Sequence, residues 1–379
     1  MKSRGKYFLW FICIVITGLS TQTYCQEFSS DKDILREIVI PAPSLSNNIF
    51  SIPAEQKISV CVPPFYSITE IRYPVLYFLT DYSEEPFVYT GGMFQSLKIQ
   101  TSLKDMVTNK TINPMIIVII SGNNFLGSGF YVNSATGGNW EDFIINDVVK
   151  YIDNKFRTIT ESKSRGIAGI TAGGFGALNI AMKHPDVFGS VYALSPNLFD
   201  KNGLANSQMF SENLRIEKFL RCEKEASELA KDQAHTKFTN FCDNSSDEDF
   251  LYLLAYGEAF APNTQKNAPY IDFPYAKSSA KANLNKDIWK KWEDGFGNWD
   301  EKVKSFKDNF LKLKGIYIEC GLKEDVKWII DGCKYLNKLF TAENIPIKFV
   351  TFEGKHQDAL RERIEKFMLT YFSTIFSSN

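Results

Sequence analysis

The sequence predicts an α/β fold, a mostly parallel sheet covered by helices on both faces, with a helical insertion. Three observations carry that expectation. Tyr73–Leu79 and Met115–Ile120 are unbroken apolar runs, the mark of strands buried on both sides. Such runs alternate with stretches of helical periodicity, the pattern of βαβ units. And the stretch Gly169-Ile170-Thr171-Ala172-Gly173 turns an apolar strand directly into a helical pattern through glycines, where a Cβ would collide with neighbouring backbone.

The chain has 379 residues, 44% of them hydrophobic, with 31 Phe and 17 Tyr, enough for a sizeable core. Its net charge of -1, with Lys and Arg spread along the chain, gives no reason to expect nucleic acid as a partner. Residues 1–25 stand apart. Lys2, Arg4 and Lys6 precede the apolar run Phe8–Leu19, and a short polar stretch leads to Cys25. This reads as a secretory signal peptide cleaved after Cys25, the alternative being a signal anchor. The run is short for a membrane span, so no stable insertion is expected after cleavage, and the mature protein is expected to be secreted, extracellular or periplasmic. Residues 26–379 then form one domain. Its cysteines (61, 222, 242, 320 and 333) lack metal-type spacing, so no metal site is implied. Cys222 with Cys242 is the expected bridge if the compartment is oxidising, although pairing is not legible from sequence.

Taken in order, Glu37–Pro64 holds two extended segments broken by prolines, suited to an edge hairpin. The strand Tyr73–Leu79 is followed by a helical pattern over Leu97–Met106, the strand Met115–Ile120 and a helix over Asn139–Phe156, whose Trp140, Phe143, Ile144, Val148, Val149 and Ile152 share one face. After the glycine turn and its helix come a strand ending at Ser195-Pro196 and then a charged, aromatic-rich stretch, about residues 200–312, expected as a cap over the sheet. Its aromatics either line a pocket for an acyl or sugar-like group or pack the cap against the body. Beyond it the alternation resumes: strand Gly315–Cys320, helix Val326–Phe340, strand Ile345–Phe352 and helix Ala359–Phe376.

A strand-turn-helix of this kind presents the apex side chain, Thr171, above the carboxyl end of a sheet, the place where open α/β sheets bind ligands. A hydroxyl there needs a base, and the sequence has three histidines. His184 ends the helix after the turn and reads as a helix cap, and His235, in the polar part of the insertion, reads as a surface residue. His356 follows the last strand on a glycine-containing loop, the position of a hydrolase base. An acid should orient that imidazole. Glu324, past Gly321 on the preceding strand's loop, is the choice, Asp325 is the alternative, and Glu319 falls inside the strand. The order nucleophile, acid, histidine is that of α/β-hydrolases. Ser195, beside Pro196 and without glycines, is a poor nucleophile candidate.

From about Pro41 onward the chain resembles the putative esterase family of α/β-hydrolases, which includes S-formylglutathione hydrolases, mycolyltransferases, feruloyl esterases and siderophore esterases. The matching residues are Tyr73-Pro74-Val75-Leu76-Tyr77, Tyr131-Val132-Asn133-Ser134, Gly138-Asn139-Trp140-Glu141-Asp142-Phe143, Tyr151-Ile152-Asp153, Phe156-Arg157-Thr158-Ile159, the elbow with His184-Pro185-Asp186-Val187-Phe188-Gly189, Ser195-Pro196, and Gly354 with His356. The resemblance implies an α/β-hydrolase fold, Thr171, Glu324 and His356 as a catalytic triad, the backbone amides of Ala172 and Tyr82 as an oxyanion hole, a small-molecule ester or acyl substrate and no cofactor. Two departures stand out. The family's nucleophile is serine, and Thr171 adds a methyl where backbone strain disfavours a β-branched residue. Where relatives commonly carry His-Gly, this chain has Thr80-Asp81, and a carboxylate pointing inward there would repel the developing oxyanion. Two functions therefore stay in view: an esterase using threonine, or a hydrolase-fold protein that binds a ligand without turning it over.

Overall fold

The computed structural model describes residues 34–276 and 284–378; the expected signal peptide, 1–25, lies outside the described residues. Eight strands form one sheet: β1 (Leu35–Pro41), β2 (Glu55–Cys61), β3 (Val75–Leu79), β4 (Ile116–Ile120), β7 (Arg165–Ile170), β8 (Ser190–Leu194), β9 (Gly315–Gly321) and β10 (Lys348–Phe352). Between β4 and β7, β5 (Asn133–Ser134) and β6 (Gly138–Asn139) make a separate two-stranded ladder. The order in the large sheet is β1-β2-β4-β3-β7-β8-β9-β10, antiparallel where β2 meets β1 and β4 and parallel from β4 to β10. The β1–β2 pair is the expected edge hairpin.

The unbroken apolar runs are explained by what covers each face. In β3 and β4, Val75, Tyr77, Leu79, Ile116, Val118 and Ile120 enter one core with the helical stretch 140–155 and the elbow helix Ala172–Lys183. Leu76, Phe78, Ile117 and Ile119 enter the other, with Ile99 and Leu103 of the helix Ile99–Thr108 and with Leu360, Ile364, Met368, Phe372 and Phe376 of the last helical stretch, 360–377. A side-chain period of two sends neighbours to opposite layers, so a strand with helices on both sides has no polar position.

Between β8 and β9 the chain runs through the helices Asn213–Ser227, Lys231–Asp243, Glu248–Phe260, Lys286–Glu293, Trp299–Ser305 and Lys307–Lys312. The aromatic residues here are largely packing. Trp292, Phe296 and Trp299 are buried, and the Phe296 ring lies 4.7 Å from that of Phe175 and 5.3 Å from that of Phe130, both outside this stretch. Phe273 stacks on Phe219 at 3.8 Å. The expected Cys222–Cys242 bridge is not formed, and all five described cysteines are free thiols. The two helices that carry them close instead on buried apolar faces, Ile216 and Phe219 on one, Ala234 and Phe238 on the other.

The turn at 169–173 has the geometry its glycines demanded. Thr171 sits at φ 51°, ψ −104°, and the elbow helix starts at the next residue. A Cβ on Gly169 would lie 2.2 Å from the Gly173 carbonyl oxygen, and one on Gly173 would lie 2.1 Å from that of Leu79. One obstacle is backbone of the elbow helix and the other backbone of β3, and neither can move aside cheaply. Gly173→Ala is expected to destabilise the protein by about 3 kcal/mol or to prevent folding, read from the midpoint of urea denaturation.

Candidate active site

Three loops at the carboxyl ends of β7, β9 and β10 bring three side chains together. Thr171 is aimed by the elbow, whose backbone is fixed by the Thr171 amide donating to Leu194 O at 2.9 Å and the Asn197 amide donating to Thr171 O at 3.0 Å. Thr171 Oγ1 lies 2.5 Å from His356 Nε2, and His356 Nδ1 lies 2.8 Å from Glu324 Oε2. A carboxylate can only accept, so Nδ1 carries the ring proton and Nε2 is left to accept from the threonine hydroxyl. The added methyl of Thr171 has not turned its oxygen away from the imidazole. Asp325, the alternative acid, points elsewhere: it pairs with Lys355 at 3.0 Å on the exposed rim. His184 pairs with Glu141 Oε1 at 2.8 Å, as a structural residue would. His235 is more enclosed than a polar stretch suggested, half-buried with Nδ1 3.2 Å from Tyr270 Oη.

Glu324 is held by more than the histidine. Its Oε1 accepts from Ser195 Oγ at 2.8 Å and from the Gly321 amide at 3.3 Å, and its side chain is fully shielded from solvent. Burial pushes this carboxyl up, but the hydrogen bonds from His356, Ser195 and Gly321 together with the imidazole's charge outweigh it, and the net shift is downward. For His356 burial pushes the imidazole down, while the bond to Glu324 and the charges of Glu324 and Asp81 push it up more, so the net shift is upward. The acid stays ionised and the base readily accepts a proton. The two loops are also tied to each other, through the Leu322 amide to Phe352 O and the Lys323 amide to Gly354 O, both at 2.9 Å.

Behind the triad lies a network that sequence reasoning missed. Arg363, 2% exposed, donates through Nε to Glu319 Oε1 at 2.6 Å, through Nη2 to Ser195 Oγ at 3.1 Å and through Nη1 to the backbone oxygen of His356 at 2.7 Å. Its guanidinium also sits over the Phe352 ring, 4.3 Å from the centroid. Glu319, inside β9 as expected, takes a second bond from Tyr192 Oη at 2.5 Å. Ser195, unsuitable as a nucleophile, thus bridges the acid and the arginine. The available signal was Arg363 itself, a charge next to Ile364 on the apolar face of the last helix.

The oxyanion-hole position is occupied. The amides of Tyr82 and Ala172, the expected donors, both point at Asp81 Oδ1, at 2.6 and 3.1 Å. Asp81 does face inward, and its carboxylate sits on the site's two N–H groups. Tyr252, from the helix Glu248–Phe260, places its ring 5.0 Å from that of Tyr82 beside this position, and its hydroxyl accepts from Asn197 Nδ2 at 3.0 Å.

A family model described as "Putative esterase" matches residues 50–360. Curated esterases from two strains of Mycobacterium tuberculosis are 32% identical over 141 residues, 35% of this chain and 27% of theirs, so the match spans about a quarter of the length of these relatives. Among solved structures, a ferulic acid esterase superposes with a TM-score of 0.56 at 19% identity, covering 90% of this chain and 98% of the other. An S-formylglutathione hydrolase from Agrobacterium tumefaciens gives 0.52 at 14% identity, covering 90% and 94%. These likenesses are of fold: an α/β-hydrolase sheet with its helices.

Two outcomes follow for the described residues. Glu324→Gln removes the charge that holds the imidazole up, so the His356 titration followed by NMR should move to lower pH; an unchanged midpoint would contradict the pairing. Arg363→Leu strands the buried carboxylate of Glu319 and should cost about 3–5 kcal/mol in denaturant unfolding. The double variant with Glu319→Leu should cost less than the sum of the two single changes.

Proposed function

The chain belongs to the putative esterase family, and we propose that it hydrolyses carboxylic esters of small molecules by acyl transfer through Thr171. The observation that carries this reading is the 2.5 Å contact between Thr171 Oγ1 and His356 Nε2, with Glu324 on the ring's other nitrogen. Thr171 Oγ1 attacks the ester carbonyl carbon while Nε2 takes the hydroxyl proton. The bond to the alcohol oxygen breaks as the imidazolium returns that proton to it, leaving an acyl ester on Thr171. Water, deprotonated by His356, then attacks the acyl carbon, releasing the acid and restoring the hydroxyl. Glu324 keeps the ring oriented and stabilises its protonated form. The amides of Ala172 and Tyr82 would meet the oxygen on which charge develops once Asp81 Oδ1 has left them.

The basic and apolar stretch 1–25 supports secretion to an extracellular or periplasmic site. The stretch of about 200–312 acts in this reading as a cap, supported by Tyr252 lying against Tyr82 beside the site. That the mycobacterial relatives are called esterases agrees with the activity. One observation favours a second reading, ligand binding without turnover: Asp81 already holds the two amides that an oxyanion would need.

The test is hydrolysis of short and medium p-nitrophenyl esters by the parent, Thr171→Ala and Thr171→Ser. Thr171→Ala should lower the parent's rate by about 1000-fold or to background, and Thr171→Ser, without the crowding methyl, should equal or exceed the parent. Activity confined to the serine variant would favour the binding reading, and an alanine variant as fast as the parent would remove Thr171 from the chemistry.

A further inference from the structure

Asp81 stands where a substrate's carbonyl oxygen would have to go. One carboxylate oxygen accepts from both Tyr82 N and Ala172 N, at 2.6 and 3.1 Å, which is how an acid product would sit in this site. The loop that carries it is pinned. The Thr80 amide donates to Ile120 O at 3.1 Å, Tyr131 Oη donates to Thr80 O at 2.9 Å, and Thr80 Oγ1 donates to Glu84 O at 2.8 Å. The backbone therefore stays in place, and the hole can empty only by rotation of the Asp81 side chain or lose its negative charge by protonation.

We propose that Asp81 is a built-in occupant of the oxyanion hole, an internal carboxylate that restrains acyl transfer until it is displaced or neutralised. The proposal rests on the esterase reading of the same site and names its regulation. With Asp81 ionised in place, an ester carbonyl meets two committed donors and a like charge at the point where its own charge must grow. When the carboxylate takes a proton from solvent, the repulsion disappears and its hold on the amides weakens, because a neutral carboxyl oxygen accepts less strongly than an ionised one.

The groups around Asp81 come from several elements. The His356 imidazole and the Thr171 hydroxyl face it from the two catalytic loops, Glu84 and Tyr89 from the segment that follows it, Tyr131 from beneath and Tyr252 from the helix Glu248–Phe260. Burial pushes the Asp81 carboxyl above its ordinary range against the opposing pull of His356 and the two amides. Glu84, half-buried and next to the Asp81 charge, is pushed up to about 7 by that desolvation first and by the charge second. Because the Asp81 charge pushes Glu84 up, the two carboxyls resist simultaneous ionisation, and a proton taken up between them is one way of releasing the hole.

The experiment compares the parent, Asp81→Gly, Asp81→Asn and Asp81→Gly/Thr171→Ala with p-nitrophenyl acetate, on the alkaline plateau of the pH–rate profiles. One hole donor alone is worth on the order of 100-fold, so Asp81→Gly should raise kcat/KM by about 100-fold or more. Asp81→Asn, which keeps the shape without the charge, should gain less, and the double variant should be inactive. An Asp81→Gly rate at or below the parent's, with the parent still dependent on Thr171, would overturn the occupant while leaving the esterase reading intact. A second readout stands apart from turnover. In protein labelled with 15N at alanine and tyrosine, the Ala172 and Tyr82 amide signals should shift with one common pH midpoint in the parent and lose it in Asp81→Asn. If the two amides do not titrate together, the proposal fails, whether or not any ester is cleaved.

Discussion

The site depends on one backbone constraint, the forced turn at Thr171. A β-branched residue at φ 51° is unfavourable in isolation and persists only because its surroundings leave no alternative. Gly169 and Gly173 lie so close to each other and to β3 that the strand must stop and the helix must start within one residue. The parallel strands β9 and β10, beyond β8 on one side of the elbow strand, place the acid and histidine loops at the same end of the sheet. This packing fixes where the Thr171 hydroxyl meets His356 Nε2.

His356 is held in place by a buried network behind its loop. Its ring is oriented by Glu324, and its backbone oxygen by Arg363. Both partners are buried and share Ser195. The arginine's charge is balanced by Glu319, which is in turn satisfied by Tyr192. Buried charges are tolerable when each is paired and hydrogen-bonded, and a fully satisfied network of this kind stiffens what it touches. Stability and catalytic geometry are here the same set of contacts.

The oxyanion position shows a different balance. The elbow brings Thr171, His356 and Glu324 into one hydrogen-bonded row, while the loop after β3 supplies a carboxylate to the two amides beside it. A scaffold can keep its nucleophile and base and still set its reaction through a single side chain in the hole, because the amides are fixed and whatever meets them first decides what they stabilise.

Sequence by itself determined the strand-helix alternation, the edge hairpin and the elbow, and put forward Thr171, His356 and an acid at 324 or 325 as candidates, because each rests on local physics: hydrophobic period, glycine sterics and the order of loops along a parallel sheet. It also flagged Asp81 as a residue at odds with an open hole. Tertiary structure alone decided that the threonine hydroxyl reaches the imidazole, that Glu324 rather than Asp325 meets the ring, and that Asp81 takes both amides. It alone revealed the service of Ser195 and Arg363, the burial of Trp292 and Phe296, and the free thiols of Cys222 and Cys242. These are matters of where side chains from distant segments meet, and sequence spacing carries no information about a rotamer or a contact across more than 100 residues.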